Sequence, residues 1–293
     1  MKNLERVQLK VSTIFRIFHF SFFFAFPESI KSIIFDQIFG MKDPIYNSFI
    51  EAKKKKEKRI AVLIDPDKMR LDNMTRVIEN AIRAQVDYFF VGGSLILDDR
   101  MDFCLDALKA QTSIPTILFP SSPQQINKKA DGILFLSLIS GRNPDLLIGQ
   151  HVLAAPILKN TSLEIISTGY MLIDGGVATA ASYISNTIPI PGHKDEIAYC
   201  TAIAGEMLGL KTIYMDAGSG ARQPISETMI QVVSQSVNIP LIVGGGMRTP
   251  EQVGKNAQAG ADIIVVGNAF EKDPALIEEI AEAVHSAGRY IRV

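Results

Sequence analysis

The 293-residue chain carries 30 Lys and Arg against 31 Asp and Glu, a formal net charge of −1, and 47% of its residues are apolar. A near-neutral chain without a basic stripe is a poor partner for nucleic acid. The length fits one large α/β domain plus an extension, and Cys104 and Cys200 match no metal-binding spacing, so they read as reduced core thiols of a cytoplasmic protein.

Residues 1–40 differ from the remainder of the chain. Val11 to Phe26 is Phe-rich and nearly continuous in apolar residues, and Ser32 to Phe39 repeats the theme. Arg16 and His19 break the first run, which is short of the roughly 20 apolar residues that cross a bilayer. Lys2, Arg6 and Lys10 suit the n-region of a signal peptide, but no clear small-x-small cleavage site comes after them. A polar, ordinary start opens at Met41. Residues 1–40 therefore read as a hydrophobic extension outside the fold, or a mis-assigned start, with the folded domain over 41–293. A peripheral membrane-surface anchor is the competing reading.

From Ile60 onward, short β-branched runs alternate with helical stretches, the pattern of βα units around a parallel sheet. The expected strands are Ile60–Ile64, Tyr88–Val91, Thr116–Phe119, Gly132–Leu136, Glu164–Ser167, Thr212–Met215, Leu241–Val243 and Ile263–Val266. Each is apolar along its length, as when helices cover the outer face. Helices are expected over Asp72–Gln85, Leu97–Gln111, Asp195–Leu208, Ser226–Val237, Pro250–Ala259 and Pro274–Ala287. The lysine run Lys53–Lys56 reads as a solvated helix face. The segment after the third strand, Ser121 to Lys129, is too short for a full helix. Eight strands in one domain predict a (β/α)8 TIM barrel modified around its third helix.

In such a barrel, chemistry sits in the loops after the strands. After strand 1, Asp65-Pro-Asp-Lys68 offers carboxylates at a rigid turn that suit a hard cation such as Mg2+, with Lys68 able to neutralise phosphate; an Asx/Pro turn capping the next helix is the alternative. After strand 2, Gly92-Gly-Ser94 offers bare backbone and a hydroxyl, or is a plain βα turn. Phe119-Pro-Ser-Ser122 is a weaker hydroxyl site. After strand 6, Tyr214-Met-Asp-Ala-Gly-Ser-Gly-Ala221 makes a flexible cradle, and Asp216 is placed to accept a proton from a substrate hydroxyl. Tyr214 either bonds substrate or packs in the core. After strand 7, Gly244-Gly-Gly246 leads into a helix start with Thr249 at the cap, Pro250 at the first helical position and Gln252 three residues past the cap. Gly267-Asn268 comes directly after strand 8. The last two units suit a phosphate split between two helix N-termini; the alternative is two tight turns without a ligand. A cradle on strands 6–8 plus an Asp-bearing site on strands 1–2 suits two phosphorylated substrates, with Mg2+ assisting a departing pyrophosphate.

Taken in order and at barrel spacing, these motifs resemble the geranylgeranylglyceryl and heptaprenylglyceryl phosphate synthase family over about residues 41 to 293. Ser137-Leu-Ile-Ser-Gly-Arg-Asn-Pro144 and Gly149-Gln-His151 resemble its group II branch. The resemblance implies prenyl transfer from a prenyl diphosphate, geranylgeranyl by default, to the C3 hydroxyl of sn-glycerol 1-phosphate, with Mg2+ as cofactor. It assigns the metal positions to Asp65 and Ser94. It assigns the glycerol-phosphate site to Tyr214, Met215, Asp216, Ala217, Gly218, Ser219, Gly220, Gly244, Gly245, Gly267 and Asn268. Asp216 falls where many members carry a glutamate, a methylene longer, proposed as base or hydroxyl anchor; Leu63 falls where many archaeal members carry a lysine. The resemblance also implies an apolar groove for the prenyl tail and a homo-oligomer, a dimer or a hexamer.

Three rivals use the same barrel. A phosphosugar isomerase, lyase or aldolase needs the strand 7–8 site but not Asp-Pro-Asp beside Gly-Gly-Ser. An FMN-dependent oxidoreductase would purify yellow. A non-catalytic glycerol-phosphate-binding protein would bind without turnover. The composition break at Met41 carries its own expectation: a chain lacking residues 1–40 folds and keeps its activity, and an insoluble or inactive product places the extension inside the fold.

Overall fold

The computed structural model describes residues 43–68, 71–95, 100–267, 269–270 and 273–289. The expected extension, its boundary with the folded domain, and Asn268 lie outside the described residues. Eight parallel strands run β1 Arg59–Ile64, β2 Tyr88–Val91, β3 Thr116–Leu118, β4 Gly132–Leu138, β5 Glu164–Leu172, β6 Thr212–Asp216, β7 Leu241–Gly244 and β8 Ile263–Val266. Each pairs with the next, and β8 pairs with β1 to close the barrel. Among the described residues, helices α1 Pro44–Lys55, α2 Leu71–Arg83, α3 Met101–Gln111, α4 Gln150–Leu158, α5 Ala180–Ile184, α6 Asp195–Met207, α7 Glu227–Ser236, α8 Pro250–Gln258 and α9 Leu276–Arg289 accompany the strands. None of the helices is long and apolar enough to cross a membrane, again among the described residues.

The caps explain several helix starts. Ser226 accepts from the Met229 N–H to begin α7. Thr249 accepts from the Gln252 N–H to begin α8, with Pro250 at its first position; both are side-chain N-caps that satisfy an otherwise open donor. Between β3 and β4 there is no α-helix, only the 3-10 turn Pro123–Gln125, so the modification expected at the third helix is present. Helix α1 is the helix expected at the lysine run, and α4 and α5 are additions to the expected set. Helix α4 carries Pro156 in its interior and comes after a single π turn, Asp145–Gly149, which hides its periodicity. Cys200, expected in the core, is exposed: α6 turns Ala198, Ala202 and Gly205 inward, and Cys200 falls on the opposite side.

Period-2 alternation divides each strand between two cores. Outward residues such as Ile60, Val62, Phe89, Ile213 and Met215 pack under the helices. Inward residues, among them Ala61, Phe90, Ile117, Leu134 and Ile242, fill the barrel. Helix α1 closes its lower end with Ile45 and Phe49, and Phe49 meets the edge of Tyr88 at 5.0 Å. The Glu164 carboxylate, at the foot of β5, accepts the first N–H groups of α1 from Ile45 at 2.7 Å and Tyr46 at 2.6 Å. That satisfies open donors and places a negative charge at the positive helix end. Burial pushes the Tyr88 phenol up to about 12, and it shares a 2.7 Å bond with Ser48. The lysine run is not uniformly solvated. Lys53 pairs with Asp262 at 3.1 Å, and the neighbouring buried Lys58 donates to the Ala261 carbonyl at 2.7 Å.

Glu164→Ala leaves two helix-end donors unpaired at a buried position. The expected loss of stability is about 1–3 kcal/mol, read as a lower urea midpoint; an unchanged midpoint shows that α1 is held by its apolar face alone.

Candidate active site

At the C-terminal mouth of the strands lies a cavity of about 790 Å³. Its polar end is built by the loops after β1, β6, β7 and β8. Its other arm is apolar and runs out past β3 and β4. The missing third helix is the cause: the outward side chains Ile133 and Phe135 of β4, which a helix would otherwise cover, line the cavity with Ile126, Leu146 and Ala154. Helix α4 supplies the far wall, and its His151 ring packs edge-on against Phe135 at 4.5 Å.

Alternation along β6 sends Tyr214 and Asp216 inward and Met215 outward. Asp216 is 7% exposed. One carboxylate oxygen accepts from the Tyr170 hydroxyl at 2.5 Å, the other from the Gly218 N–H at 2.7 Å. Burial pushes the Asp216 carboxyl above its usual range, and the two donors draw it back only in part. Burial first, then the Asp216 charge, holds the Tyr170 and Tyr214 phenols well above theirs, so both stay protonated. Phe119 stacks on Tyr214 at 5.1 Å and meets Tyr170 edge-on at 5.7 Å. Three rings thus floor the mouth beneath the carboxylate.

The glycine cradle closes around this group. Gly218, Gly220, Gly245 and Gly246 all have positive φ. At Gly245 a side chain is excluded twice over, by a φ of +84° and because a Cβ would lie 2.6 Å from the Asp216 carboxylate and 2.6 Å from the Gly218 nitrogen. Behind Gly246 comes the N-terminus of α8, whose field favours an anion. Arg248 lines the same end, its guanidinium donating to the Ala221 carbonyl at 2.7 Å.

Across the mouth, Asp65 is nearly buried and pairs with Lys68 at 2.8 Å. Its other oxygen accepts from the Asp67 N–H at 3.2 Å, so the Asx turn and the cavity-facing carboxylate are the same residue. Gly93 lies against it, since a Cβ there would come 3.0 Å from the carboxylate. The Lys68 ammonium is also 3.5 Å from the Ser219 hydroxyl and so links the β1 loop to the β6 loop. Asp65, Lys68 and Ser94 all line the cavity. Among the described residues, no three His, Cys, Asp or Glu side chains gather as a metal cage.

The residues picked out in the sequence are therefore not equivalent. Tyr214, Asp216, Gly218, Ser219, Gly220, Gly245 and Gly267 line the cavity together with Asp65 and Ser94. Met215 and Ala217 do not: their side chains pack in the outer core, and the Ala217 N–H is spent on the Gly244 carbonyl at 3.1 Å. Gly244 is also outside the lining; a Cβ there would come 2.6 Å from the Tyr214 hydroxyl, so it makes room for that ring. Leu63 lines the mouth and gives it an aliphatic side chain in place of the lysine of many archaeal members. The sequence pattern does not single out Tyr170, Phe119 or Arg248 as site residues. Tyr170 is legible in principle, because the alternation Ile166, Thr168, Tyr170, Leu172 carries β5 five residues past its expected end.

The PcrB family model matches residues 52–285. The geranylgeranylglyceryl phosphate synthase of Chitinophaga pinensis is 56% identical over 252 residues, covering 86% of this chain and all of that one. The enzyme of the same name from Thermococcus gammatolerans is 41% identical over 76% of this chain and 88% of its own. In three dimensions the chain is similar to the crystal structure of (S)-3-O-geranylgeranylglyceryl phosphate synthase from Thermoplasma acidophilum in complex with its substrate sn-glycerol-1-phosphate, with a TM-score of 0.78, 33% identity, and coverage of 83% of this chain and 98% of that one. The order of motifs around one closed barrel and the match over most of its length agree, and the chain belongs to the PcrB family.

Proposed function

We propose that the chain transfers a prenyl group, geranylgeranyl as the names of its relatives suggest, from its diphosphate to the C3 hydroxyl of sn-glycerol 1-phosphate. The observation that carries this reading is that one cavity joins a cradle of bare glycine backbone, a buried carboxylate and a long apolar arm. A phosphosugar isomerase has use for the first two and none for the third. The likeness to an enzyme solved with sn-glycerol-1-phosphate supports the same assignment.

In this reading, the phosphate of sn-glycerol 1-phosphate rests on the backbone of Gly218, Gly220, Gly245 and Gly246, at the N-terminus of α8. Its C3 hydroxyl faces Asp216. The prenyl tail lies in the arm between β4 and α4, which puts the diphosphate over Asp65, Lys68 and Ser94. The bond from the C3 oxygen to C1 of the prenyl chain forms as the bond from C1 to the diphosphate breaks, and the hydroxyl proton passes to Asp216. The raised carboxyl of Asp216 makes it a better proton acceptor than an exposed aspartate. Tyr214, fixed by Phe119 and by the gap at Gly244, presents its hydroxyl beside the same substrate.

One carboxylate and one hydroxyl do not make a cage, but Mg2+ commonly binds through one or two carboxylates together with substrate phosphates and water. Asp65 and Ser94 fit an ion of that kind, and Mg2+ held there would neutralise the departing diphosphate. Lys68, paired with Asp65 at 2.8 Å, would add its positive charge to the diphosphate from the same loop.

Purified enzyme is expected to convert geranylgeranyl diphosphate and sn-glycerol 1-phosphate to the ether, seen by mass spectrometry, with Mg2+ and not with EDTA. Asp65→Ala is expected to abolish the Mg2+-dependent turnover, and wild-type rates in that variant reject the metal assignment. No product from folded protein over several prenyl lengths returns the chain to a sugar-phosphate enzyme on the same barrel or to a binding role. Asp216→Asn is expected to lower turnover by about 10²–10⁴-fold with little change in sn-glycerol 1-phosphate binding by calorimetry; an unchanged rate removes Asp216 as the base.

A further inference from the structure

Register explains how a short aspartate is placed where it can act. In the β5–β6 pairing Tyr170 lies opposite Tyr214, and Leu172 lies opposite Asp216. Tyr170 and Asp216 are therefore diagonal neighbours on the inner face of the barrel, a separation that an aromatic side chain can bridge. The phenol leans up the barrel and meets the carboxylate at 2.5 Å. It has little freedom to do otherwise, since Phe119 and Tyr214 both meet it edge-on, at 5.7 and 5.5 Å.

We propose that Tyr170 is a positioning residue for Asp216: its hydroxyl holds one carboxylate oxygen while the Gly218 N–H holds the other, fixing the carboxylate toward the substrate hydroxyl. The inference rests on the prenyl-transfer reading of Asp216. A carboxylate has about four lone-pair sites, and the two donors occupy one on each oxygen. The remaining lone pairs are fixed in direction by the plane that those donors define.

The clamp also acts on the proton affinity of the base. The tyrosine hydroxyl stabilises the ionised carboxylate against the burial that favours the neutral one. The other titratable or charged side chains lining the same cavity are Tyr214 of β6, the paired Asp65 and Lys68 of the β1 loop, His151 of α4, Arg248 of the β7 loop and Asp273 of the segment after β8. The base must be ionised to accept a proton, so turnover falls as pH drops through its titration. Without the Tyr170 hydroxyl that fall begins at a higher pH.

The test is Tyr170→Phe, which keeps the ring and its contacts with Phe119 and Tyr214 and removes one oxygen. The expected outcome is a loss of about ten- to a hundredfold in kcat/KM for sn-glycerol 1-phosphate, with the acid limb of the pH profile moved upward by about one unit. Carbon-13 NMR of the Asp216 carboxyl in both proteins gives the same shift without reference to turnover. An Asp216 titration identical in the wild type and Tyr170→Phe overturns the proposal, whatever the rates. A shifted titration in an enzyme whose Asp216→Asn variant keeps full turnover upholds the clamp and rejects the base.

Discussion

The mouth of the barrel is organised around one buried charge. Taking the Asp216 carboxylate out of water is costly unless donors replace the lost solvation, and the replacement comes from two directions. The chain supplies one donor locally, by turning back at Gly218 so that an N–H meets the carboxylate two residues away. It supplies the other from the adjacent strand, through Tyr170. Gly245 must then pass close above with no side chain, and Gly244 must leave room for Tyr214. The glycines of the β6 and β7 loops thus have a structural cause, the accommodation of a buried carboxylate and of the Tyr214 ring, and they leave bare backbone facing the cavity.

The second organising feature is a subtraction. A complete third helix would cover the outer face of β4. With only the turn Pro123–Gln125 in its place, the cavity extends from the inside of the barrel to the outside, past Phe119 and Phe135. Polar and apolar ends are thereby separated by the thickness of the barrel wall. A molecule with an anionic head and a hydrocarbon tail is the natural occupant of such a shape.

Much of this architecture is readable from the chain. The eight strands announce themselves as short, largely apolar runs between helical stretches, and the start of α8 follows from Thr249 and Pro250. The glycines and Asp216 stand at strand ends, where barrel chemistry lies. What escapes has physical reasons. Helix α4 is apolar on nearly every side and contains Pro156, so it shows no helical stripe. In β5 the apolar run is interrupted by Ser167, Thr168 and Gly169 before it resumes at Tyr170, Met171 and Leu172, so the strand reads as ending at the interruption. Met215 and Ala217 sit within a motif that reads as continuous, and only the structure shows that their side chains face away from the cavity. The ion pair of Lys53 with Asp262 joins residues 209 apart, a separation that no local pattern discloses.

The plug at the foot of the barrel bears on how the molecule is made. Helix α1 emerges early from the ribosome, but the carboxylate that caps it belongs to Glu164, 119 residues later. At about 5–20 residues per second, that interval lasts on the order of 6–24 s. For that time Ile45 and Phe49 have no barrel interior to enter, because the strands that form it are still being synthesised. The nascent chain therefore stays open to chaperones, proteases and self-association past the arrival of β5, until β8 pairs with β1 and completes the interior. An N-terminal fragment ending ahead of Glu164 would carry the same apolar helix with no place to bury it.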